Sequence, residues 1–149
     1  MKKTTLLAVI LITQSLNPLI TNTAFAGPGH DHTHGSSEKT EITIPETRDE
    51  LWQAIQAEHA TLLEAVGKKS DGEVHTTEEK LQAYLEAMPG KITDLEEGVR
   101  KRIEGQTRNL ARAYDAVHHA ADDKAWDKAA AEMKKADGGM KLLAAQMPK

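Results

Sequence analysis

The sequence predicts an all-α protein: an up-down-up-down four-helix bundle preceded by a signal peptide and a flexible His-rich arm. Three observations carry this. Four segments repeat apolar residues at helical spacing, helix-start residues stand ahead of them, and the connections between them are short and polar.

The first 26 residues have the layout of a secretory leader. Lys2 and Lys3 precede the apolar run Leu6 to Ile12, and Ala24-Phe25-Ala26 places small residues at both positions that determine cleavage. Gln14, Asn17 and Pro18 break the apolar run well short of a membrane span, so a cut after Ala26 is expected and a permanent anchor is not. Loss of residues 1–26 removes two lysines and no acid, so 19 basic against 23 acidic residues become 17 against 23, and the net charge moves from -4 to -6. An acidic exported chain of this kind is expected in a periplasm, with no nucleic-acid partner and no stable membrane insertion, because both anionic surfaces reward a basic face. The chain has no cysteine, which removes disulfides, thiolate metal sites and covalent haem attachment.

Residues 27–48 hold Gly, Pro, Ser, Thr and His with no periodic apolar pattern, and are expected to form the mobile arm. Ile42 and Ile44 flank Thr43 in an arrangement suited to a short extended contact, which Pro45 limits. The bundle is expected over 49–149. Thr47-Arg48-Asp49-Glu50 has capping-box spacing, and Trp52, Ile55, Leu62 and Val66 form the stripe of a first helix that Gly67 should stop. A second helix carries Leu81, Tyr84, Leu85 and Met88 to Pro89-Gly90. Its start is open between Asp71 and the alternative capping box Thr76-Thr77-Glu78-Glu79. A long third helix, about Thr93 to Ala121, aligns Leu95, Val99, Ile103, Gln106, Leu110, Ala113 and Val117. Gly98 and Gly105 lie on one side of it, as tolerated drift or as a site of close helix approach. Asp122-Asp123 should cap a fourth helix with the stripe Trp126, Ala130, Met133, Ala136, Met140, Leu143 and Met147, which Gly138-Gly139 could bend.

Residues Ala120 to Gly139, AADDKAWDKAAAEMKKADGG, resemble the final hairpin of the soluble periplasmic b-type cytochromes. That resemblance implies a four-helix bundle. The axial ligands of that family, a Met on the first helix and a His near the end of the fourth, have no counterpart here, so haem is not expected. The segment HDHTH behind a leader, with further histidines in the helices, resembles small exported His-rich proteins that accompany bacterial heavy-metal efflux or resistance systems. This second resemblance implies a metal-binding role beside an efflux component or another periplasmic protein.

Histidine carries the chemistry. His30, His32 and His34 stand at every second position, with Asp31 between them as an oxygen donor, and neutral imidazole suits Zn, Cu and Ni. Such an arm would capture metal quickly and select poorly. His59 falls on the apolar stripe of helix one and should face the interior, as a hydrogen-bonded core residue or as a ligand. His75, at the start of helix two, and His118, near the end of helix three beside His119, should meet at one end of an antiparallel bundle. A three-His site of His59, His75 and His118 would suit Zn(II) or Cu(II), with Asp115, Asp122 and Glu58 as oxygen donors or supports. Met133, Met140 and Met147 repeat every seven residues and are expected as core filling, like Met88, and Trp52 and Trp126 as packing anchors. No catalytic constellation is present, and the acid pairs Glu78-Glu79 and Asp122-Asp123 read as helix starts. The expectation is a non-enzymatic copper- or zinc-binding protein for buffering or delivery. The alternatives are a helical interaction module with incidental histidines, or a cofactor-binding bundle. A homodimer is compatible with each.

Overall fold

The computed structural model describes residues 41–148, in which four helices follow one another: α1 (Arg48–Lys68), α2 (Asp71–Lys91), α3 (Glu97–Asp122) and α4 (Trp126–Ala144). The leader and the arm residues His30, Asp31, His32 and His34 lie outside the described residues. Each helix packs on the next in sequence, and a smaller contact between α1 and α4 closes the ring. Ties between helix ends fix the antiparallel sense. Arg48 at the start of α1 reaches both carboxylate oxygens of Asp94 just beyond α2, at 3.0 Å each, and Lys124 after α3 pairs with Asp71 at the start of α2 at 2.6 Å. This is the predicted bundle. No helix among the described residues is long and apolar enough to cross a membrane.

The start of α1 follows from local chemistry. Thr47 accepts from the Glu50 amide while the Glu50 carboxylate accepts from the Thr47 amide, the reciprocal box predicted. Those bonds hold the Glu50 carboxyl below its usual range. The described end of the predicted arm is not free of the bundle. Ile44 packs against the core, Lys91 Nζ donates to the Glu46 carbonyl at 2.7 Å, and Arg48 already belongs to α1. The boundary drawn at residue 48 is therefore too late.

The stops of α1 and α3 share one device that the sequence does not signal, and α3 begins at Glu97 and not at about Thr93. α1 does not stop at Gly67; it turns at Lys69, which takes the left-handed conformation (φ 57°), and the Ser70 amide then reaches the Ala65 carbonyl at 3.0 Å. α3 ends the same way. Lys124 is left-handed (φ 57°) and the Ala125 amide bonds the Ala120 carbonyl at 2.8 Å. A lysine pays about 1 kcal/mol for a conformation that glycine adopts freely, so neither stop carries its usual sequence signal. Asp122 and Asp123 consequently terminate α3 and do not cap α4, which begins at Trp126 behind Ala125 with no side-chain cap. α2 begins at Asp71, the earlier of its two candidate starts, and continues through Pro89 to Lys91.

One core runs through the bundle, with Leu51, Ile55 and Leu62 of α1, Val74, Leu81 and Met88 of α2, Ile103, Leu110 and Tyr114 of α3, and Met133 and Leu143 of α4 almost wholly buried. Met140 and Met147 are buried as well, so the heptad methionines fill the core as predicted. Trp52 and Trp126 pack on it from its edge. Gly98 and Gly105 face no other helix closely, which leaves tolerated drift as their reading. The close approach is at Gly139, where an added Cβ would stand 3.2 Å from Leu110 Cδ1, so α4 continues through Gly138-Gly139 as helix and a side chain at 139 would require Leu110 to give way.

Candidate metal centre

The interior histidine and the histidines at the bundle end occupy two separate constellations. On α1, His59 projects between Ile55 and Leu62 toward α3 and α4, as its position on the stripe requires. Its Nδ1 lies 2.8 Å from the Tyr114 hydroxyl, and its Nε2 lies 2.8 Å from Asp137 Oδ1. A carboxylate can only accept, so Nε2 carries a proton for Asp137; in the neutral ring Nδ1 is then the acceptor for the Tyr114 hydroxyl. Tyr114 is fully buried, and burial followed by the nearby Asp137 charge pushes its ionisation far above the usual phenol range. Both imidazole nitrogens of His59 are thus committed to neighbours from two other helices. The predicted grouping of His59 with His75 and His118 is not formed: His59 is the interior hydrogen-bonded residue of the two readings offered above.

At the other place, α2 begins where α3 ends, and His75 meets His118 as predicted. His75 Nδ1 and His118 Nε2 are hydrogen-bonded at 2.9 Å, one ring donating to the other. Two nitrogens bound to one metal at about 2.0–2.1 Å, with an angle between about 90° and the tetrahedral value, stand about 2.9–3.4 Å apart. His118 Nε2 also lies 3.4 Å from Asp122 Oδ2, one helical turn on. His119 stacks on His118 with ring centroids 5.7 Å apart, and His118, His119 and Asp122 can each offer one donor atom within 4.8 Å of the others. His119 is half exposed and faces Asp115 at 3.4 Å.

Carboxylates surround the outer nitrogens. Glu79 Oε1 stands 3.4 Å from His75 Nε2, and Glu78 Oε2 stands 3.9 Å from His118 Nδ1. Glu78 is buried, and its other oxygen accepts from Gln82 Nε2 at 2.7 Å, while the same amide group donates to the Ala111 carbonyl of α3 at 2.9 Å. Burial raises the Glu78 carboxyl above its ordinary range despite the Gln82 bond and the nearby His118. Glu78 is therefore no helix-start residue; it lies about two turns inside α2, on its interior face. Glu58, considered as a donor, instead pairs with Lys80 at 3.0 Å.

The sequence reading missed His119 as a donor, Glu78 and Glu79 as neighbours of the imidazoles, and Tyr114 and Asp137 as partners of His59. A signal existed for His119: Asp115, His118, His119 and Asp122 repeat at three and four residues, so one face of the helix gathers them over about two turns. For Tyr114 and Asp137 none existed, because the bonds cross 55 and 78 residues of chain. Comparisons with protein-family models, with curated proteins and with solved structures find no match to this chain.

Proposed function

We propose that this protein binds a divalent transition metal, copper or zinc, at the end of the bundle where α2 begins and α3 ends, and that it buffers or delivers that metal in the periplasm beside an efflux or resistance system. The supporting observation is the 2.9 Å convergence of His75 Nδ1 and His118 Nε2 beside Asp122 and His119. That separation is the one two adjacent nitrogens keep at a right angle, which favours the tetragonal preference of Cu(II); tetrahedral Zn(II) requires them to open by a few tenths of an ångström. The arm histidines His30, His32 and His34 with Asp31 are the capture segment of the same reading, and export follows from the leader. Binding should weaken below about pH 6 as imidazoles protonate.

Calorimetric titration of the purified chain with Cu(II), Zn(II) and Ni(II) tests this, with one variant replacing His30, His32 and His34 by Ala and another replacing His75 and His118. Binding that survives the arm variant and is lost in His75→Ala/His118→Ala supports the bundle site. Loss only in the arm variant removes it, and no binding by the parent chain overturns the function.

A non-enzymatic interaction module is the second reading, favoured by a groove of about 830 Å³ between α3 and α4. Leu110, Ala113 and Leu142 line it, with Gly138 and Gly139, and Leu142 is one of two large apolar side chains exposed among the described residues.

A further inference from the structure

The strongest unexplained group in the bundle is Glu78. A carboxylate buried to this degree normally has a cation beside it, since stripping its water is costly. Among the described residues no lysine or arginine pairs with Glu78, and the one basic group within ion-pairing range is His118. Its carboxylate is nevertheless held in place. Gln82 clamps it from the next turn of α2 and anchors that clamp to the Ala111 carbonyl of α3, so the assembly spans the same helix pair as the two imidazoles. Its sequence neighbour Glu79 stands on the solvent side against the other imidazole. Two consecutive acids on α2 thus face the outer nitrogens of two histidines on different helices, and the inner nitrogens of those rings point at one another.

We infer that Glu78 and Glu79 are the positioning residues of the His75–His118 site: each carboxylate favours hydrogen on the outer nitrogen of one ring, so that when a cation displaces to solvent the proton of the hydrogen bond between the rings, the inner lone pairs of His75 Nδ1 and His118 Nε2 converge on it. This rests on the metal-binding reading. Asp122 stands nearer, 3.4 Å from His118 Nε2, but it is the more exposed and more screened of the two acids; buried Glu78, 3.9 Å from Nδ1, favours hydrogen on that nitrogen, which leaves Nε2 to accept from His75 Nδ1 in the metal-free chain and makes it a better donor to a cation. The metal's charge in turn adds to the attraction of His118 and His75 in favouring the ionised form of buried Glu78. Asp115 adds negative charge on the exposed side of Glu78. Glu78 should contribute more than Glu79, because a buried carboxylate is screened less than a half-exposed one.

Three measurements on the full chain decide this. In the metal-free protein, nitrogen NMR of the imidazoles should find hydrogen on His118 Nδ1, with that preference lost in Glu78→Leu. Copper and zinc affinity should fall by about 10- to 100-fold in Glu78→Leu, the range typical for loss of a partner that orients a ligand, less in Glu79→Gln, and be partly retained in Glu78→Gln. Thermal unfolding of the metal-free variants should be unchanged or improved, since a buried charge has been removed. Affinity within twofold of the parent, hydrogen on Nε2 of His118 in the parent, or a loss of metal-free stability that parallels the loss of affinity would each overturn the inference. If the parent binds neither metal, the proposed function fails, and the metal-free spectrum still decides whether Glu78 sets the tautomer of His118.

Discussion

His59 and His118 are buried almost equally, with side-chain exposures of 13% and 14%, yet they sit in opposite kinds of chemistry. His59 spends one nitrogen on a phenol and the other on a carboxylate, joining α1 to α3 and α4 across the least extensive interface of the ring. His118 faces another imidazole, a buried acid and Asp122, at the junction of α2 and α3. Burial therefore does not distinguish a structural histidine from a ligand. The partners do: a ring whose nitrogens both meet complementary protein groups is satisfied, whereas a ring surrounded by other imidazoles and carboxylates has neighbours that are donors to a cation.

That contrast is most directly broken at His59. His59→Ala leaves the Tyr114 hydroxyl buried without its partner and opens a void, so unfolding by urea should show a loss of about 2–4 kcal/mol, with metal affinity within twofold of the parent. An affinity loss as large as that of His118→Ala would join the two constellations that the geometry separates. The complementary change, His118→Ala, should abolish metal-linked stabilisation. At a free metal concentration 100 times the dissociation constant the parent gains about 2.7 kcal/mol, and a thermal melt of the variant should gain none.

A smaller effect separates the two places by pH. Burial raises Glu78 above the 4.5 of an ordinary glutamate, so the folded chain holds that proton more tightly than the unfolded one. Its favourable contribution is complete below about pH 4.5 and is lost as pH rises through the folded value. Glu78→Gln should flatten the stability profile from the ordinary glutamate value of 4.5 upward, measured by denaturant unfolding at each pH. Tyr114 has the same sign, but its window opens only above the ordinary phenol range near pH 10, so Tyr114→Phe should leave the acidic profile unchanged. The smallest test lies beside Asp137. Gly138 faces open space and Gly139 meets Leu110, so Gly138→Ala should stabilise by about 0.5–1 kcal/mol through helix propensity. Gly139→Ala should gain less or lose, because Leu110 must move.

Much of the fold could be read from the chain because its signals are local. The Thr47–Glu50 box acts across three residues, and the positions of Ile55, Leu62, Leu81, Leu85, Ile103, Leu110 and Val117 repeat with the helical period, which assigns their faces before any packing is known. Antiparallel order follows from short connections, and with it the meeting of His75 and His118. The exceptions are also local: left-handed Lys69 and Lys124 stand where glycine usually marks a stop, so α1 runs past Gly67 and Asp122-Asp123 close α3 instead of capping α4. Tyr114 is fully buried yet absent from the predicted stripe of helix three, because its neighbours Ala113 and Val117 satisfied the same periodicity one position away.

The sequence by itself determined the all-α class, the four amphipathic segments, the absence of thiol chemistry and the end of the bundle at which histidines gather. Those properties depend on residue type and on spacings shorter than a few turns. Only the tertiary structure decided that His59 belongs to Tyr114 and Asp137, that Glu78 turns inward beneath His118, and that Gly139 accommodates Leu110. Such pairings depend on axial stagger and rotation between helices. These are set by how side chains from all four helices interlock in the core, and a helical period leaves them open.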